Sequence, residues 1–596
     1  MTDRAAAARA IALFQQGDLD AARSAAHSAI SGDGESAQMR HLLGVLCCRA
    51  GDLGEGVTHL EHAAELAPRD PGILVMLMRV LIDSGRPSEA LSRPFEATGM
   101  PSSALLALWR TRAEAAHHAH EPFLEAEALQ RGLLLDPADR PARERLVPML
   151  MSLDQPAQAL AQIDALPESR WSRRARSMAL VALRRLDEAA AIEAELLGDD
   201  PLDREAWLSA VLIADRQNDA SALSAMVEHG ERASYDQAEL AFARALIAKL
   251  EGDWDGALTH AKASETPGDP GRRFALIASL ADRLGRSDEA YHAAAAKAAT
   301  IADGPAWRVR GARHRRELEG LLAAMTEQWS ASWTASPPLA RAAPAFLVGF
   351  PRSGTTLLDT FLMGHRDVVV IEEELMLDAA ARVFGGTAAL ADADAARIEE
   401  ARAAYFAELD RHLPSASPQP GLIIDKLPLA MTGAPIIHRL FPDAKIIFAR
   451  RHPADSVLSN FLQSFRLNDA MANFLDLGDA AQFYDVAMRV WTRSRDRLGL
   501  DTRDLAYEEL VENPAAALRP LVEWLGLPWD DDLLDHRRTA AARGAIVTPS
   551  YDQVTQPVHR RAVDRWRRYG TYLAPVRGLI EPWAIRLGYG TMSGLP

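Results

Sequence analysis

At 596 residues the chain is too long to be organised around one core, and its length predicts roughly three or four domains' worth of residues. Hydrophobic residues make up 48% and charged residues 25%, the proportions of a water-soluble globular protein. The formal net charge of −16 speaks against a general nucleic-acid binder, while leaving room for a local basic pocket.

The N-terminal residues MTDRAAAARAIALFQQGD carry Arg9 inside their only apolar stretch, so no signal peptide is expected. The most apolar run, GILVMLMRVLI, is broken by Arg79 and falls short of the ~18 apolar residues of a membrane helix. Cys47 and Cys48 are adjacent, which rules out a disulfide framework; their apolar helical setting predicts buried thiols. No membrane partner and no nucleic acid are expected, and the expected compartment is the reduced cytoplasm.

Residues 1–300 are rich in Ala and Leu, helix-periodic, and repetitive. A turn-plus-helix phrase begins at Gly17, Gly51 and Gly85, and again at Asn218, Gly252 and Gly285, giving steps of 34, 34, then 34 and 33 residues. Small residues recur after the turn at Ala21, Ala90, Ala257 and Ala290, and a closing proline recurs at Pro68, Pro137 and Pro201. A helix–turn–helix period of this length resembles the tetratricopeptide repeat, with roughly nine units. One such unit cannot bury its own apolar face, so the units stack into a solenoid with a groove. That groove predicts a protein or peptide partner. Repeat arrays also serve to dimerise or stiffen an enzyme, so a homodimer is the competing expectation.

Residues 301–341 read as a helical linker: an amphipathic helix with a basic start, then a Ser/Ala/Pro loop. In residues 342–596 the pattern changes. Strand-like runs AFLVGF, GLIIDK and KIIFAR alternate with helical stretches, which predicts βα units and a parallel sheet. Ligands of such sheets bind at the carboxyl ends of the strands. Those ends here are polar: Arg352 with Ser353, Asp425 with Lys426, and Arg450 with Arg451.

The first of these ends reads AFLVGFPRSGTT over Ala345–Thr356, a strand, a loop and the start of a helix. Loop amides and the positive end of a helix dipole then face one spot, which suits an anion. The spacing of Gly349 and Gly354 nearly makes a Walker A motif, but Thr355 stands where the lysine belongs. Arg352 sits inside the loop instead, a cation suited to a phosphosulfate held without a metal.

FPRSGTT, DKLP, FPDAKIIFARRHPADSVLSNF and LAYEELVENP, in this order, resemble the sulfotransferases. The chain is most similar to the tyrosylprotein enzymes and to bacterial repeat-containing relatives. The fold this implies is a multi-domain one: an N-terminal all-α tetratricopeptide-type solenoid and a C-terminal α/β, P-loop-like sulfotransferase domain. The resemblance implies 3′-phosphoadenosine 5′-phosphosulfate as sulfuryl donor and no metal. It implies a 5′-phosphosulfate cradle of Arg352, Ser353, Gly354, Thr355 and Thr356, and a 3′-phosphate site of Arg451 and Ser459, eight residues apart. Arg450 is a rival to Arg451. Tyr507 matches the family tyrosine near the nucleotide, and Ser550 is the candidate for touching the sulfuryl group.

For catalysis the resemblance implies a glutamate base within IEEEL and a lysine in DKLP. Family spacing selects Glu373, with Glu372 and Glu374 as rivals on adjacent faces of a helix. Lys426 is the cation for charge on the bridging oxygen, and Asp425 is expected to hold it. The chain departs from the family at Gln463 and Gln556, where basic residues are usual; Arg466 and one of Arg560 or Arg561 are the expected substitutes. The acceptor is a hydroxyl: that of a protein or peptide tyrosine, a carbohydrate or a small molecule. Two further readings stay open: a repeat scaffold with an inactive nucleotide-binding domain, and a P-loop kinase, against which the missing lysine counts.

Overall fold

The repeat phrase becomes a pair of helices closed by a tight turn. In the computed structural model, which describes residues 2–30, 36–153, 155–266, 268–413, 421–542 and 558–593, eighteen helices between Thr2 and Ala299 form nine consecutive pairs. The recurring Gly17, Gly51, Gly85, Gly252 and Gly285 all have φ between 73° and 86°, and Asn218 stands at 53°. The period is thus carried by a left-handed residue that ends one helix and lets the next fold back. Ala90, Ala257 and Ala290 are fully buried where the helices of a pair meet; a larger side chain there would force them apart.

The chain divides into two units, Met1–Ala222 and Leu223–Pro596. In the first, each helix packs mainly on its neighbours in sequence, the nearest-neighbour arrangement of a solenoid. The N-terminal region is a tetratricopeptide-type solenoid. Cys47 is buried within it and Cys48 only partly so.

The second unit contains a five-stranded, all-parallel sheet in the order β2-β3-β1-β4-β5. The strands are β1 (Ala345–Val348), β2 (Val368–Glu372), β3 (Leu422–Lys426), β4 (Ile446–Arg450) and β5 (Thr502–Ala506). Alternation divides their side chains between two cores. Ala345 and Leu347 pack with Leu358, Phe361 and Leu518 on one face. Phe346 and Val348 pack with Tyr405, Phe441 and Trp491 on the other.

That second core continues into the last helix pairs of the same unit: Ala257, Leu258, Ile277 and Ala290 belong to it. The Tyr291 ring stacks on Tyr572 with centroids 3.8 Å apart. Buried Lys297 donates to the carbonyls of Leu462 and Gln463 at 3.3 and 2.6 Å, capping helix Pro453–Leu462. The linker helix Gly304–Ala324 is docked as well. Its Arg310 and Arg313 pair with Asp469, and its Arg315 with Asp479. No helix of the described residues is long and apolar enough to cross a membrane.

Candidate functional site

All five strands deliver a residue to one end of the sheet, their carboxyl end. The loop after β1 carries Arg352 to Thr356, Glu373 follows β2, Lys426 ends β3, Arg451 follows β4 and Tyr507 follows β5. A cavity there is lined by Arg352, Gly354, Thr355, Thr356, Glu373, Arg451 and Tyr507. The sheet order makes this the natural place: β1 and β4 are neighbours, and the connections that leave them run to opposite sides, towards β2 and towards β5, which opens a crevice between them.

Two glycines set the loop. A Cβ on Gly349 would lie 2.4 Å from the Ala449 carbonyl oxygen of β4. Gly354 has φ 92°, and a Cβ there would lie 2.6 Å from Cδ2 of Tyr507. Arg352 also takes a left-handed φ of 66°, a strained conformation for a side-chain-bearing residue. Its Nε donates to Oγ of Ser459 at 3.2 Å. Ser353 is buried, its Oγ 3.3 Å from that of Ser456. Thr355 and Thr356 open the helix Thr355–Leu362 and are buried.

Arg451 Nη1 donates to the Arg352 carbonyl at 3.0 Å, and its guanidinium lies 4.8 Å from the centroid of the Tyr507 ring. Arg450 turns away, to the Leu587 carbonyl at 3.0 Å and to Glu509. Consecutive strand residues point to opposite sides, so only one of the two arginines can face the cavity. Burial, then the like charges of Arg451 and Arg565, push the Arg352 guanidinium down to about 9. Like charges crowded around a buried guanidinium are costly without an anion, and Arg352 and Arg451 on the cavity wall fit a ligand carrying phosphate or sulfate groups.

The three glutamates have three different fates. They do not lie on a helix: β2 runs to Glu372, and Glu373 leaves it with φ 54°. Glu372 sits opposite Lys426 in strand register, 3.3 Å from its Nζ. Glu373 reaches the cavity wall and accepts from Lys426 Nζ at 2.7 Å. Glu374 lies 3.4 Å from the His412 ring.

Lys426 is fully buried and also lies 3.3 Å from Asp359 Oδ2. Burial alone would lower its pKa, but Asp359, Glu373 and Glu372 together outweigh burial and raise it. Asp425 does not hold the lysine. It is the next residue along the strand, points to the other face, and accepts from the Tyr405 hydroxyl at 2.7 Å. The lysine's true buried partner, Asp359, went unseen in the sequence. The signal was there: a lone carboxylate inside the apolar run LLDTFL.

The expected basic substitutes do not line this cavity. Arg466 is exposed, and Gln463 serves Lys297 through its carbonyl. Arg560 lies 3.5 Å from Glu512, and Arg561 is exposed. The basic residue that adjoins Arg352 is Arg565, which sequence reasoning missed. Ser550 and Gln556 lie outside the described residues. One group of described residues brings metal-ligand atoms within 4.8 Å of one another, namely His27, Glu55 and His59 of the first unit. Glu55 there is already paired with Arg23. The cavity has no such group among the described residues.

The profile of the sulfotransferase family matches residues 344–531, and the C-terminal domain is a sulfotransferase-family domain. Within that family it is homologous to protein-tyrosine sulfotransferases. Protein-tyrosine sulfotransferase 1 of Danio rerio is 27% identical over 274 residues, covering 42% of this chain and 73% of the relative. An uncharacterised protein of Aquifex aeolicus is 29% identical over 254 residues, 40% of this chain. The match spans only 32% of that relative's own length. Among solved structures, the sulfotransferase domain of the Synechococcus olefin synthase is 20% identical, covering 39% of this chain and 91% of the domain, with a TM-score of 0.26.

Proposed function

We propose that the protein transfers a sulfuryl group from 3′-phosphoadenosine 5′-phosphosulfate to an acceptor hydroxyl, without a metal. The observation that carries this is the cavity itself, with the guanidiniums of Arg352 and Arg451 on one side and Glu373, backed by buried Lys426, on the other. The donor supplies an electrophilic sulfur whose bond to the phosphate oxygen breaks as the bond to the acceptor oxygen forms. Arg352, with the amides and hydroxyls of Ser353 to Thr356, binds the phosphosulfate. Arg451, with Ser459 behind Arg352, binds the 3′-phosphate, and the Tyr507 ring fixes the position of Arg451. Glu373 accepts the proton of the acceptor hydroxyl. Lys426, buried beneath Glu373, orients that carboxylate and brings positive charge to the end of the cavity where negative charge develops.

The acceptor we favour is a tyrosine hydroxyl in a peptide or protein. Leu427, Pro428, Leu429, Phe465 and Met471 line the same cavity. Such a wall suits an aromatic ring and would leave the many hydroxyls of a sugar unmatched. The relatives named as protein-tyrosine sulfotransferases favour the same acceptor. The solenoid recruits the polypeptide that carries it.

The test is transfer from radiolabelled donor to a tyrosine peptide, a glycan and a simple phenol, with and without Mg²⁺. Metal-independent labelling of the peptide is the expected result. Labelling of the glycan alone would replace the acceptor class. No donor binding would leave an inactive scaffold, and preference for Mg²⁺-ATP would indicate a kinase.

A further inference from the structure

Arg565 lies in the short turn Arg565–Tyr569 near the end of the chain, yet its carboxylate partner comes from the repeats. Its Nη1 donates to Oδ2 of Asp282 at 3.1 Å, and Asp282 belongs to helix Pro270–Arg283, in the ninth helix pair. Asp282 is fully engaged at this junction. Its Oδ1 accepts from the Tyr569 hydroxyl at 2.7 Å and lies 3.6 Å from the Arg568 guanidinium, and its carbonyl accepts from Arg568 at 3.2 Å.

The Arg565 side chain is only 12% exposed. Its Nε and Nη2 are buried with no hydrogen-bond partner among the described residues, and the same holds for Nε of Arg451. Buried donors of a charged group are costly unless something accepts from them. Asp455, on the helix that carries Ser459, takes the neighbouring Trp566 amide at 2.8 Å and brings a second carboxylate near Arg565.

A guanidinium is a rigid planar fork, so pinning one nitrogen fixes the direction of the others. We propose that Asp282 is a positioning residue for the nucleotide site. By holding Nη1 it aims the remaining donors of Arg565, beside Arg352 and Arg451, at a phosphate of the donor. This rests on the sulfuryl-transfer reading above. It makes the ninth helix pair a part of the donor site as well as a repeat, and it gives the solenoid a physical link to nucleotide affinity.

The test is isothermal titration of the full-length protein with 3′-phosphoadenosine 5′-phosphate. Asp282→Ala is expected to raise Kd about tenfold, the loss of roughly one hydrogen bond to a charged group. Tyr572→Phe, which breaks a contact to Asp288 in the same helix pair, should leave Kd within about twofold at a comparable change in Tm. In an Arg565→Ala background, Asp282→Ala should cost nothing further, because its effect passes through Arg565. An unchanged Kd for Asp282→Ala, an equal loss in Tyr572→Phe, or an undiminished loss in the Arg565→Ala background would each overturn the proposal. Should Asp282→Ala not fold, Asp282→Asn is read in its place. Absence of binding by the wild-type protein would instead bring down the donor reading on which the proposal stands.

Discussion

Glu373 and Lys426 are joined twice: Lys426 Nζ lies 2.7 Å from Glu373 Oε1, and the Glu373 main-chain N–H donates to the Lys426 carbonyl at 2.7 Å. The backbone contact holds Glu373 in its left-handed conformation at the end of β2. The side-chain contact ties the carboxylate to a cation buried with two further carboxylates, Asp359 and Glu372. A group held this firmly can serve as a base of fixed direction.

Glu373→Gln keeps the shape and one hydrogen-bond acceptor but loses the proton acceptor. Its kcat should fall by roughly two to four orders of magnitude, with nucleotide affinity nearly unchanged. Glu372→Gln and Glu374→Gln should retain most activity, since neither side chain lines the cavity. Steady-state kinetics on the three variants decides, and full activity in Glu373→Gln would move the base elsewhere. Lys426→Met should also destabilise the fold, by about 3–5 kcal/mol, because it strands Asp359 and Glu372. Denaturant unfolding measures that loss.

Arg451 and Arg450 provide a paired comparison. Arg451→Ala should weaken binding of 3′-phosphoadenosine 5′-phosphate by roughly 10- to 100-fold, the usual worth of hydrogen bonds to a charged group. Arg450→Ala removes contacts to the Leu587 carbonyl and Glu509 and should leave affinity within about threefold. Equal losses by titration calorimetry would contradict the strand register.

Asp425 makes stability depend on pH. Burial, partly offset by the Tyr405 hydroxyl and reinforced by Asp378 and Glu374, raises its pKa from 3.8 to about 7. The folded state therefore binds a proton that the unfolded chain has lost between these values. The stabilisation is complete below the lower value and is lost as pH rises through the upper one. Asp425→Asn, which stays neutral, should gain on the wild type by roughly 1.4 kcal/mol per pH unit from pH 4 to pH 7 and level off above. Chemical denaturation at several pH values measures the gap, and a gap independent of pH would refute it.

Recruitment by the solenoid is tested by truncation, and the structure determines where to cut. A start near Gly304 would remove Lys297 and Asp282, both built into the second unit. A start at Asp219 keeps helix Ala220–Arg232 and everything after it. That fragment should keep nucleotide binding and lose kcat/KM for the polypeptide acceptor, because remote binding energy no longer positions the hydroxyl. Equal kcat/KM for the fragment and the full chain, both folded by circular dichroism, would leave the repeats structural.

The repeats and the anion loop were legible because each is local. A left-handed turn residue every 34 positions states a helix pair, and Gly349 and Gly354 state a strand–loop–helix turn in one stretch of chain. Two strands were not foreseen as elements of the sheet. VVVIE runs straight into the charged stretch EEE, whose residues carry no strand alternation, and TRDLA alternates too weakly to announce a strand. The chain order of motifs was enough to point to a sulfotransferase domain and to the loop that lines the cavity.

Which side of a strand a residue faces, and what meets it there, only the tertiary structure decided. Glu373 rather than its neighbours reaches the cavity because the chain bends after β2, and Arg451 rather than Arg450 does so because β4 pairs in one register. Asp359, Arg565 and Asp282 carry no local pattern that marks them. Asp359 lies 67 positions from its partner Lys426, and Asp282 lies 283 positions from its partner Arg565. A buried charge is settled by its partner, and partners so distant in sequence meet only when the sheet, the linker helix and the last repeats have packed together.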